Sequence, residues 1–324
     1  MNNIKLSVII PTYNCEKYLE ASLYKIKPFL NDVTEFIFID DKSSDTTLQI
    51  LDTFCRGAKG NVTVIQNPEN MGPGVARNVG VAKSVGEYIT FLDADDYLDT
   101  DFIEKIYPEL DGKNDLILFD YFEEYNGIMN PKKTVRANCE HLTLADVLIF
   151  TTGCPWGKIY RSSIIKKFNV QFLNQKRNED MPFTKVAISY CDTFSYVESP
   201  IYHYVQNKSS LTHDNTIQNK NSGENAYNYI QDKLNPLFNG EELDAVFYND
   251  YLFGSAMISS SKLNRSDWIR YLRETEIIRP NWHRSKYIGK MPMIRKLCGV
   301  LIKNKCYFLI KLLNIIKIKR NKVQ

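Results

Sequence analysis

Short apolar runs alternate with segments of helical periodicity along residues 6–120. The apolar runs have the length and composition of buried strands, and they lie at 6–10, 35–39, 62–66, 88–92 and 115–119. Helical patterns separate them at 18–30, 46–54, 74–84 and 101–110. Because nearly continuous apolar strands need cover on both faces, the pattern predicts an α/β fold with a mainly parallel central sheet.

The pattern changes after the predicted sheet. Residues 131–215 are mixed, and residues 219–279 are mostly helical in pattern. We predict an α/β domain over 1–218, a helical C-terminal subdomain over 219–285 and a basic amphipathic tail over 286–324. Within the helical part, the positions expected to be buried are Tyr227, Tyr229, Ile230, Leu234, Trp268, Tyr271 and Leu272.

Polar residues directly follow three of the predicted strands. They are Pro11, Thr12, Tyr13 and Asn14 after the first strand, Asp40 and Asp41 after the second, and Asp93, Ala94 and Asp95 after the fourth. Ligands on parallel sheets bind beyond the carboxyl ends of the strands. The three clusters are therefore expected to meet in one crevice.

Asp93 and Asp95 are two residues apart, so their side chains point the same way if the strand continues through them. Two carboxylates at one place suit Mg²⁺ or Mn²⁺, ions that proteins usually share with substrate phosphates. The alternative is a solvated turn in which the carboxylates only cap the loop. The pair indicates metal-assisted chemistry on a diphosphate but needs support from the rest of the chain.

The charge is unevenly distributed. Residues 277–324 contain 13 Lys/Arg and no Asp/Glu, whereas residues 1–276 contain 28 Lys/Arg and 38 Asp/Glu, a net charge of −10. Basic and apolar residues interleave in the tail, where no run approaches the roughly 18 apolar residues of a membrane-spanning helix. We expect the tail to lie on an anionic membrane surface. The alternative is a helix packed on the rest of the chain with a solvated basic face.

Other features of the sequence bear on the cellular location and the binding partners of the protein. The seven cysteines form no CxxC pair, so neither a zinc site nor a disulfide framework is indicated. The N-terminus lacks the pattern of a signal peptide, and no nucleic-acid-binding module or stripe of aromatic and basic residues is found, so nucleic acid is not an expected partner. We expect a cytoplasmic protein that is peripheral on the inner face of the cell membrane.

Three motifs in order carry a resemblance to a known family. Residues 11–14 read PTYN, residues 40–47 read DDxSxDxT and residues 70–80 read NxGxxxARNxG, and the Asp-Ala-Asp of 93–95 follows them. With these segments at this spacing, the chain resembles the family 2 glycosyltransferases over roughly residues 4–215. The resemblance implies a GT-A fold, a nucleotide-diphosphate sugar as donor, with UDP as the expected nucleotide, and the synthesis of a bacterial surface polysaccharide.

The first two motifs are expected to bind the nucleotide. Tyr13 offers an aromatic face, and Asp40 or Asp41 offers a carboxylate that can accept the imide N–H of uracil. The alternative is a turn in which Tyr13 packs and Ser43 and Asp45 cap the helix that follows. With the resemblance, we expect Asp45 to cap and Asp40 and Asp41 to bind.

The third motif is a glycine turn before a helix. Asn70 begins it, and Gly72 lets the backbone bend close to a helix N-terminus, which suits a diphosphate. Arg77 lies one turn inside the helix. It contacts the ligand or, alternatively, is a structural partner of Asp40 or Asp93.

The resemblance assigns separate roles to the two carboxylates of the DxD motif. Asp93 is expected to hold the ribose and Asp95 to coordinate Mn²⁺ or Mg²⁺, while Asp96 caps the following segment. His203 and, less specifically, His213 are candidates for a further metal ligand. The alternative for either histidine is a packed or surface side chain.

Glu179 and Asp180 look like the "ED" motif of the family. The resemblance makes Asp180 the base that deprotonates the acceptor hydroxyl, with Glu179 beside it on the acceptor side. The alternative is an ordinary acidic residue at a helix N-terminus, before Pro182 in the first turn. Trp156 resembles an acceptor-side aromatic residue, although a buried core tryptophan is an equal alternative.

These roles together predict a metal-dependent inverting hexosyl- or N-acetylhexosaminyltransferase. Its acceptor is expected to be a lipid-linked or polymeric glycan of a capsule, exopolysaccharide, teichoic acid or O-antigen. An alternative is a non-catalytic subunit that binds the nucleotide sugar within a glycosyltransferase complex. A different α/β nucleotide enzyme is disfavoured, because neither GxGxxG after the first strand nor a Walker motif is found.

Overall fold

The structure is a computed structural model that describes residues 4–175, 177–206, 219–234, 236–254, 256–257 and 264–323, with 219–221 and 316–323 described by backbone alone. The strands are β1 Leu6–Thr12, β2 Thr34–Asp40, β3 Asn61–Gln66, β4 Tyr88–Phe91, β5 Tyr97–Leu98, β6 Leu116–Tyr125, β7 Ile128–Lys132, β8 Lys158–Arg161 and β9 Phe194–Val205. The helices are α1 Glu16–Ile26, α2 Thr47–Gly57, α3 Pro73–Lys83, α4 Phe102–Ile106, α5 Leu144–Phe150, α6 Ser162–Lys167, α7 Asp180–Ser189, α8 Asn219–Leu234, α9 Gly240–Val246, α10 Arg265–Ile278, α11 Met293–Lys303 and α12 Tyr307–Val323.

The described strands form one sheet in the order β3-β2-β1-β4-β8-β6-β9-β5, with β7 paired to β6. The first four strands of this order are parallel, and β6 and β9 are parallel as well. Strand β8 is antiparallel to both β4 and β6. The mainly parallel α/β sheet is therefore confirmed, and all five predicted strands are present.

Alternation along the parallel strands explains why both faces are covered. In β2, Phe36 and Phe38 belong to a core cluster that includes Leu19 and Leu23 of α1. Their neighbours Ile37 and Ile39 face the other side, where they pack with Ala76 of α3. The continuous apolar pattern of β2 thus comes from burial of both faces.

The chain divides into two compact units. The first comprises 1–134 and 153–226, and the second comprises 135–152 and 227–324. The predicted domains ended at 218 and 285, so this division differs in two ways: residues 135–152 join the C-terminal unit, and the tail is part of that unit. A contact within it shows why, since Lys290 Nζ donates to Asp146 Oδ1 at 2.7 Å, where Asp146 closes a capping box with Thr143 at the start of α5.

The second unit has an aromatic core. The rings of Tyr248 and Trp282 stack with centroids 4.5 Å apart. Of the seven helical positions predicted to be buried, five are buried and two, Tyr229 and Tyr271, are partly buried. Among the described residues, none of the helices combines the length and apolarity that crossing a bilayer requires.

Candidate active site

The ends of three adjacent strands form the centre of the site. Strand β1 lies between β2 and β4 in the sheet, so the loops that follow these strands are neighbours at its carboxyl edge. The predicted clusters at 11–14, 40–41 and 93–95 begin at these ends. The three predicted clusters therefore lie at one edge of the sheet, as the sequence led us to expect.

Arg77 joins two parts of the site that are far apart in sequence. From the buried face of α3, its Nη2 donates to Asp93 Oδ1 at 2.7 Å, and its Nη1 donates to Asp180 Oδ1 at 2.8 Å. Glu179 Oε1 lies 3.4 Å from the same Nη1. The structure shows Arg77 as a partner of Asp93 and adds Glu179 and Asp180. Contact of Arg77 with a ligand stays a prediction.

Asp180 is the first residue of α7, and Asn178 turns the chain into this helix. Asn178 has a φ of +58°, a left-handed conformation that asparagine adopts more readily than most residues. Burial raises the pKa of Asp180 to about 8, the charges of Glu179 and Asp93 add to the increase, and Arg77 opposes it. A carboxyl group with this pKa can take up a proton near neutral pH.

The segment before α7 is held against α3 by a reciprocal pair of hydrogen bonds. Asn78 Nδ2 donates to the carbonyl of Phe172 at 2.9 Å, and the N–H of Phe172 donates to Asn78 Oδ1 at 2.9 Å. A Cβ on Gly74 would lie 3.0 Å from Glu179 Cγ and 3.0 Å from the carbonyl oxygen of Leu173. The glycine motif therefore makes room for the acidic pair, a role that the sequence did not reveal.

Asp41 holds the glycine turn together. Its carboxylate accepts hydrogen bonds from the N–H of Gly72 at 2.7 Å, the N–H of Met71 at 3.1 Å and Asn67 Nδ2 at 2.7 Å. The N–H groups of Met71 and Gly72 are thus occupied by a side chain of the protein, while binding of a diphosphate near the N-terminus of α3 stays a prediction. Asn70, the first residue of the motif, is exposed.

Asp40 differs from Asp41 in having one carboxylate oxygen without a hydrogen-bond partner. Its Oδ2 accepts from Gln66 Nε2 at 2.9 Å and from the N–H of Ser43 at 3.2 Å. Its Oδ1 is buried without a hydrogen-bond partner. Because buried polar atoms normally have partners, this oxygen is the better candidate of the two for accepting from a ligand.

The PTYN loop and the residues after β2 bind each other. Asn14, with a φ of +46°, accepts from the N–H of Ser44 at 2.8 Å through its side chain. Tyr13 is exposed, which leaves its aromatic face accessible, whereas Thr12 is buried and donates to the Ile39 carbonyl. Asp45 accepts from the N–H of Thr47, the first residue of α2, although the N-cap position of this helix is occupied by Thr46.

Asp95 and Ala94 are partly buried in the loop after β4. In the part of the chain that the structure describes, no group of three or more His, Cys, Asp or Glu could hold a metal ion by itself. A carboxylate that shares Mg²⁺ or Mn²⁺ with substrate phosphates does not need such a group. Metal binding by Asp95 therefore stays a prediction, with most of the ligands of the ion expected from a bound diphosphate.

His203 lies in β9. Its Nε2 is 3.2 Å from Asp99 Oδ2, its ring stacks on Tyr97 with centroids 4.1 Å apart, and its buried Nδ1 has no hydrogen-bond partner. These contacts favour the packed alternative for His203, and its metal role stays a prediction. His213 lies outside the described residues.

Trp156 belongs to an aromatic stack. Its ring lies nearly parallel to that of Tyr202, with centroids 4.6 Å apart, and 5.4 Å from that of Tyr204. Only 5% of the residue is exposed. Burial of this extent favours the core alternative that the sequence left open.

Asp96 is buried and connects the loop after β4 to β9, whereas the sequence predicted only that it would cap the segment that follows it. Its Oδ2 accepts from the hydroxyl of Tyr202 at 2.5 Å, and its Oδ1 accepts from the N–H of Val205 at 2.8 Å. Burial raises the pKa of Asp96, and the charges of Asp93 and Asp95 raise it further. The link fixes the end of β9 beside the loop after β4.

The chain is similar to known glycosyltransferases. A model of the family described as "Glycosyl transferase family 2" matches residues 7–169, half of the chain. The poly(ribitol-phosphate) beta-N-acetylglucosaminyltransferase TarS of Staphylococcus aureus is 32% identical over 205 residues, which are 62% of this chain and 35% of TarS. The chain therefore spans about a third of the length of this relative.

Solved structures show the same fold. The crystal structure of S. aureus TarS 1-349 in complex with UDP-GlcNAc matches with a TM-score of 0.75 at 23% identity, over 98% of this chain and 92% of that one. The mannosyltransferase PcManGT from Pyrobaculum calidifontis, in complex with GDP-Man and Mn²⁺, matches with a TM-score of 0.57 at 14% identity, over 97% and 87%. The GT-A fold expected from the motifs is confirmed.

Proposed function

Because this chain belongs to glycosyl transferase family 2, we propose that it is an inverting glycosyltransferase that moves a sugar from a nucleotide-diphosphate sugar to an acceptor hydroxyl. The observation that carries the proposal is the contact of Arg77 with both Asp93 and Asp180. It brings the candidate donor-binding carboxylate and the candidate base together at the strand ends where ligands of such sheets bind.

The proposed donor is a UDP-sugar. TarS has been solved with UDP-GlcNAc, and the exposed face of Tyr13 with the spare oxygen of Asp40 suits a pyrimidine. Asp93 is proposed to hold the ribose. The Asp41 carboxylate supports the site from behind by keeping the glycine turn closed.

Metal dependence is part of the proposal. Asp95 would supply a carboxylate to Mn²⁺ or Mg²⁺, and the likeness to a mannosyltransferase solved with Mn²⁺ supports this choice. When bound, such an ion supplies positive charge against the leaving diphosphate. His203 is a weaker candidate for a second protein ligand, because its Nε2 lies against Asp99.

The proposed reaction is a single displacement. The acceptor hydroxyl oxygen attacks the anomeric carbon, the bond from that carbon to the diphosphate breaks, and the hydroxyl proton passes to a carboxylate oxygen of Asp180. Arg77 fixes that carboxylate by a hydrogen bond of 2.8 Å. Because attack and departure occur on opposite faces of the sugar, the configuration inverts.

The proposed acceptor is a polyol-phosphate or other polymeric or lipid-linked glycan of a surface polysaccharide. TarS, a poly(ribitol-phosphate) transferase by name, supports this class. Glu179 is proposed to border the acceptor side, whereas the burial of Trp156 leaves it a supporting role. We propose that the protein acts at the cytoplasmic surface of the cell membrane, to which its tail attaches.

The test uses the purified chain with a panel of UDP-, GDP- and dTDP-sugars, with and without Mn²⁺. Thermal shift reports donor binding, and slow donor hydrolysis followed by transfer to a polyol-phosphate polymer reports catalysis. We expect stabilisation and metal-dependent turnover with a UDP-sugar. Donor binding without turnover under any condition would instead support the non-catalytic subunit.

A further inference from the structure

One side of α11 anchors that helix in the second unit. Cys298, Leu301 and Ile302 are buried. Gly299 brings the backbone close to the aromatic core, since a Cβ there would lie 3.1 Å from the Tyr248 hydroxyl. The first turn is held in addition by Arg295, whose Nη1 donates to the carbonyl of Asn249 at 2.6 Å. The orientation of the helix is therefore fixed.

The opposite side of α11 is apolar although it is exposed. Met293, Leu297 and Val300 are 77%, 42% and 55% exposed. Their spacing of four and three residues places them along one side of the helix. A solvated helix usually carries polar residues on this side, so packing within the protein does not explain the stripe.

Helix α12 repeats the pattern. Phe308, Leu312 and Ile315 are exposed at the same spacing, with Leu309 beside them, while Tyr307, Ile310 and Asn314 are buried. Asn314 Nδ2 donates to the carbonyl of Met257 at 2.6 Å and so anchors the buried side. The two helices pack against each other. Both therefore have an anchored side and an exposed apolar side.

Lysines accompany the exposed apolar residues. Lys296, Lys303 and Lys311 each follow one of them by three residues, which is about one helical turn. No Asp or Glu occurs from 277 to 324. Lysine stems can cover an apolar surface while the ammonium groups reach outward to anionic groups.

We infer that the exposed sides of α11 and α12 form a docking face for an anionic lipid bilayer, with the seven apolar side chains entering the interface and the lysines binding headgroup phosphates. The face consists of Met293, Leu297, Val300, Phe308, Leu309, Leu312 and Ile315, with Lys296, Lys303 and Lys311. The inference deepens the membrane attachment proposed above. It does not depend on the sugar transfer.

The charge pattern argues for lipid and against a second copy of the chain. Two copies that met through this face around a twofold axis would each present the same patch to the other. Their lysines would then oppose lysines, with no acidic residue of the same segment to compensate. An anionic bilayer removes that repulsion and covers the apolar side chains at once.

The test measures sedimentation of the full chain with phosphatidylcholine vesicles, with and without phosphatidylglycerol. We expect binding that requires phosphatidylglycerol and that falls about tenfold when NaCl rises from about 0.1 M to about 0.5 M. An apolar variant, Leu297→Ser with Val300→Ser, and a charge variant, Lys303→Gln with Lys311→Gln, are each expected to lose about tenfold in binding.

Matched controls are Val85→Ser, an exposed apolar position in the first unit, and Lys83→Gln at the end of α3. Both should bind as the unsubstituted chain does. All variants change exposed side chains, so an unchanged Tm verifies the fold. Absent or phosphatidylglycerol-independent binding contradicts the inference, as does a dimer in sedimentation equilibrium that the apolar variant dissociates. The assay contains no sugar donor, so failed transfer and failed docking are distinguishable.

Discussion

Arg77 Nη1 lies 2.8 Å from Asp180 Oδ1. The guanidinium is buried, and its other terminal nitrogen is bonded to Asp93, so one side chain sets the separation of two proposed functional carboxylates. Arginine suits this position because its planar fork donates in two fixed directions. Arg77 therefore aligns both the proposed base, Asp180, and Asp93, the carboxylate proposed to hold the ribose.

The first prediction concerns the base. Asp180→Asn keeps the shape of the side chain and a hydrogen bond to Arg77 but cannot take the acceptor proton. We expect the transfer rate to fall by about 10²–10⁴-fold, while donor binding measured by thermal shift persists. Asp192→Asn, an exposed position after α7, is the control. Full transfer by the Asp180 variant would reject the assignment.

The second prediction concerns pH. Since the base acts in its ionised form and the pKa of Asp180 is raised to about 8, kcat/KM should rise as the pH rises through about 8. Glu179 contributes to the increase in the pKa and Arg77 opposes it. Glu179→Gln should therefore move the rising limb to lower pH, and Arg77→Gln should move it to higher pH.

The Arg77 variant needs a check on folding, because removing a buried cation from between carboxylates costs about 3–5 kcal/mol. Arg77→Lys retains the charge and serves as the conservative variant. Glu198→Gln, at an exposed site, should leave the pH at which kcat/KM rises unchanged. If the rising part of the pH profile of kcat/KM moved in the same direction in Glu179→Gln and Arg77→Gln, these charges would not set the pH dependence.

The third prediction concerns the glycine turn. Asp41→Ala leaves three donors, the N–H groups of Met71 and Gly72 and the amide of Asn67, without their acceptor. We expect the free energy of unfolding to fall by about 2–4 kcal/mol, because the lost bonds are charge-assisted and mostly buried. Urea unfolding measures the change. Asp52→Ala, exposed on α2, should change it little, and an equal loss in both variants would contradict the role of Asp41.

The fourth prediction compares two glycines. Gly74→Ala would press a Cβ against Glu179 and the Leu173 carbonyl, which should displace the acidic pair and lower the transfer rate. Gly57→Ala meets no atom within 4 Å and should be neutral or slightly stabilising. Steady-state kinetics and Tm for both variants make the comparison. A Gly74→Ala variant with unchanged kinetics would contradict this prediction, because the backbone at Leu173 and the side chain of Glu179 would then accommodate the methyl group without displacing the acidic pair.

Sequence was sufficient for the features that depend on local pattern. The parallel strands follow from runs such as 35–39, and their shared edge follows from topology rules, so the amino-acid pattern alone places Asp93 and Asp40 at that edge. What Asp41 binds could not be foreseen, because either a ligand or a turn can take its two oxygens. Asp96 binds Val205, and Arg77 binds Asp180 in addition to Asp93. Val205 and Asp180 lie more than 100 residues from their partners, and no local pattern encodes these two contacts.

The tail shows the same limit. Its apolar and basic residues predicted an amphipathic segment, yet periodicity does not distinguish a side that faces the core from one that faces outward. The structure assigns Leu301 and Tyr307 to the core and Leu297 and Phe308 to the outside. On α11 the buried side includes Gly299, where a Cβ would lie 3.1 Å from the Tyr248 hydroxyl.

The contacts of Asp96 fix the number of residues in the loop from Asp93 to Asp96. Its carboxylate reaches Tyr202 and Val205, so adding or deleting one residue between Asp93 and Asp96 would withdraw a buried acid from both partners. The spacing of the Asp93–Asp96 loop is thus as fixed as the identity of its residues. We expect changes of length to be better tolerated where no such link crosses, as in the exposed turn at Asn126 and Gly127 between β6 and β7.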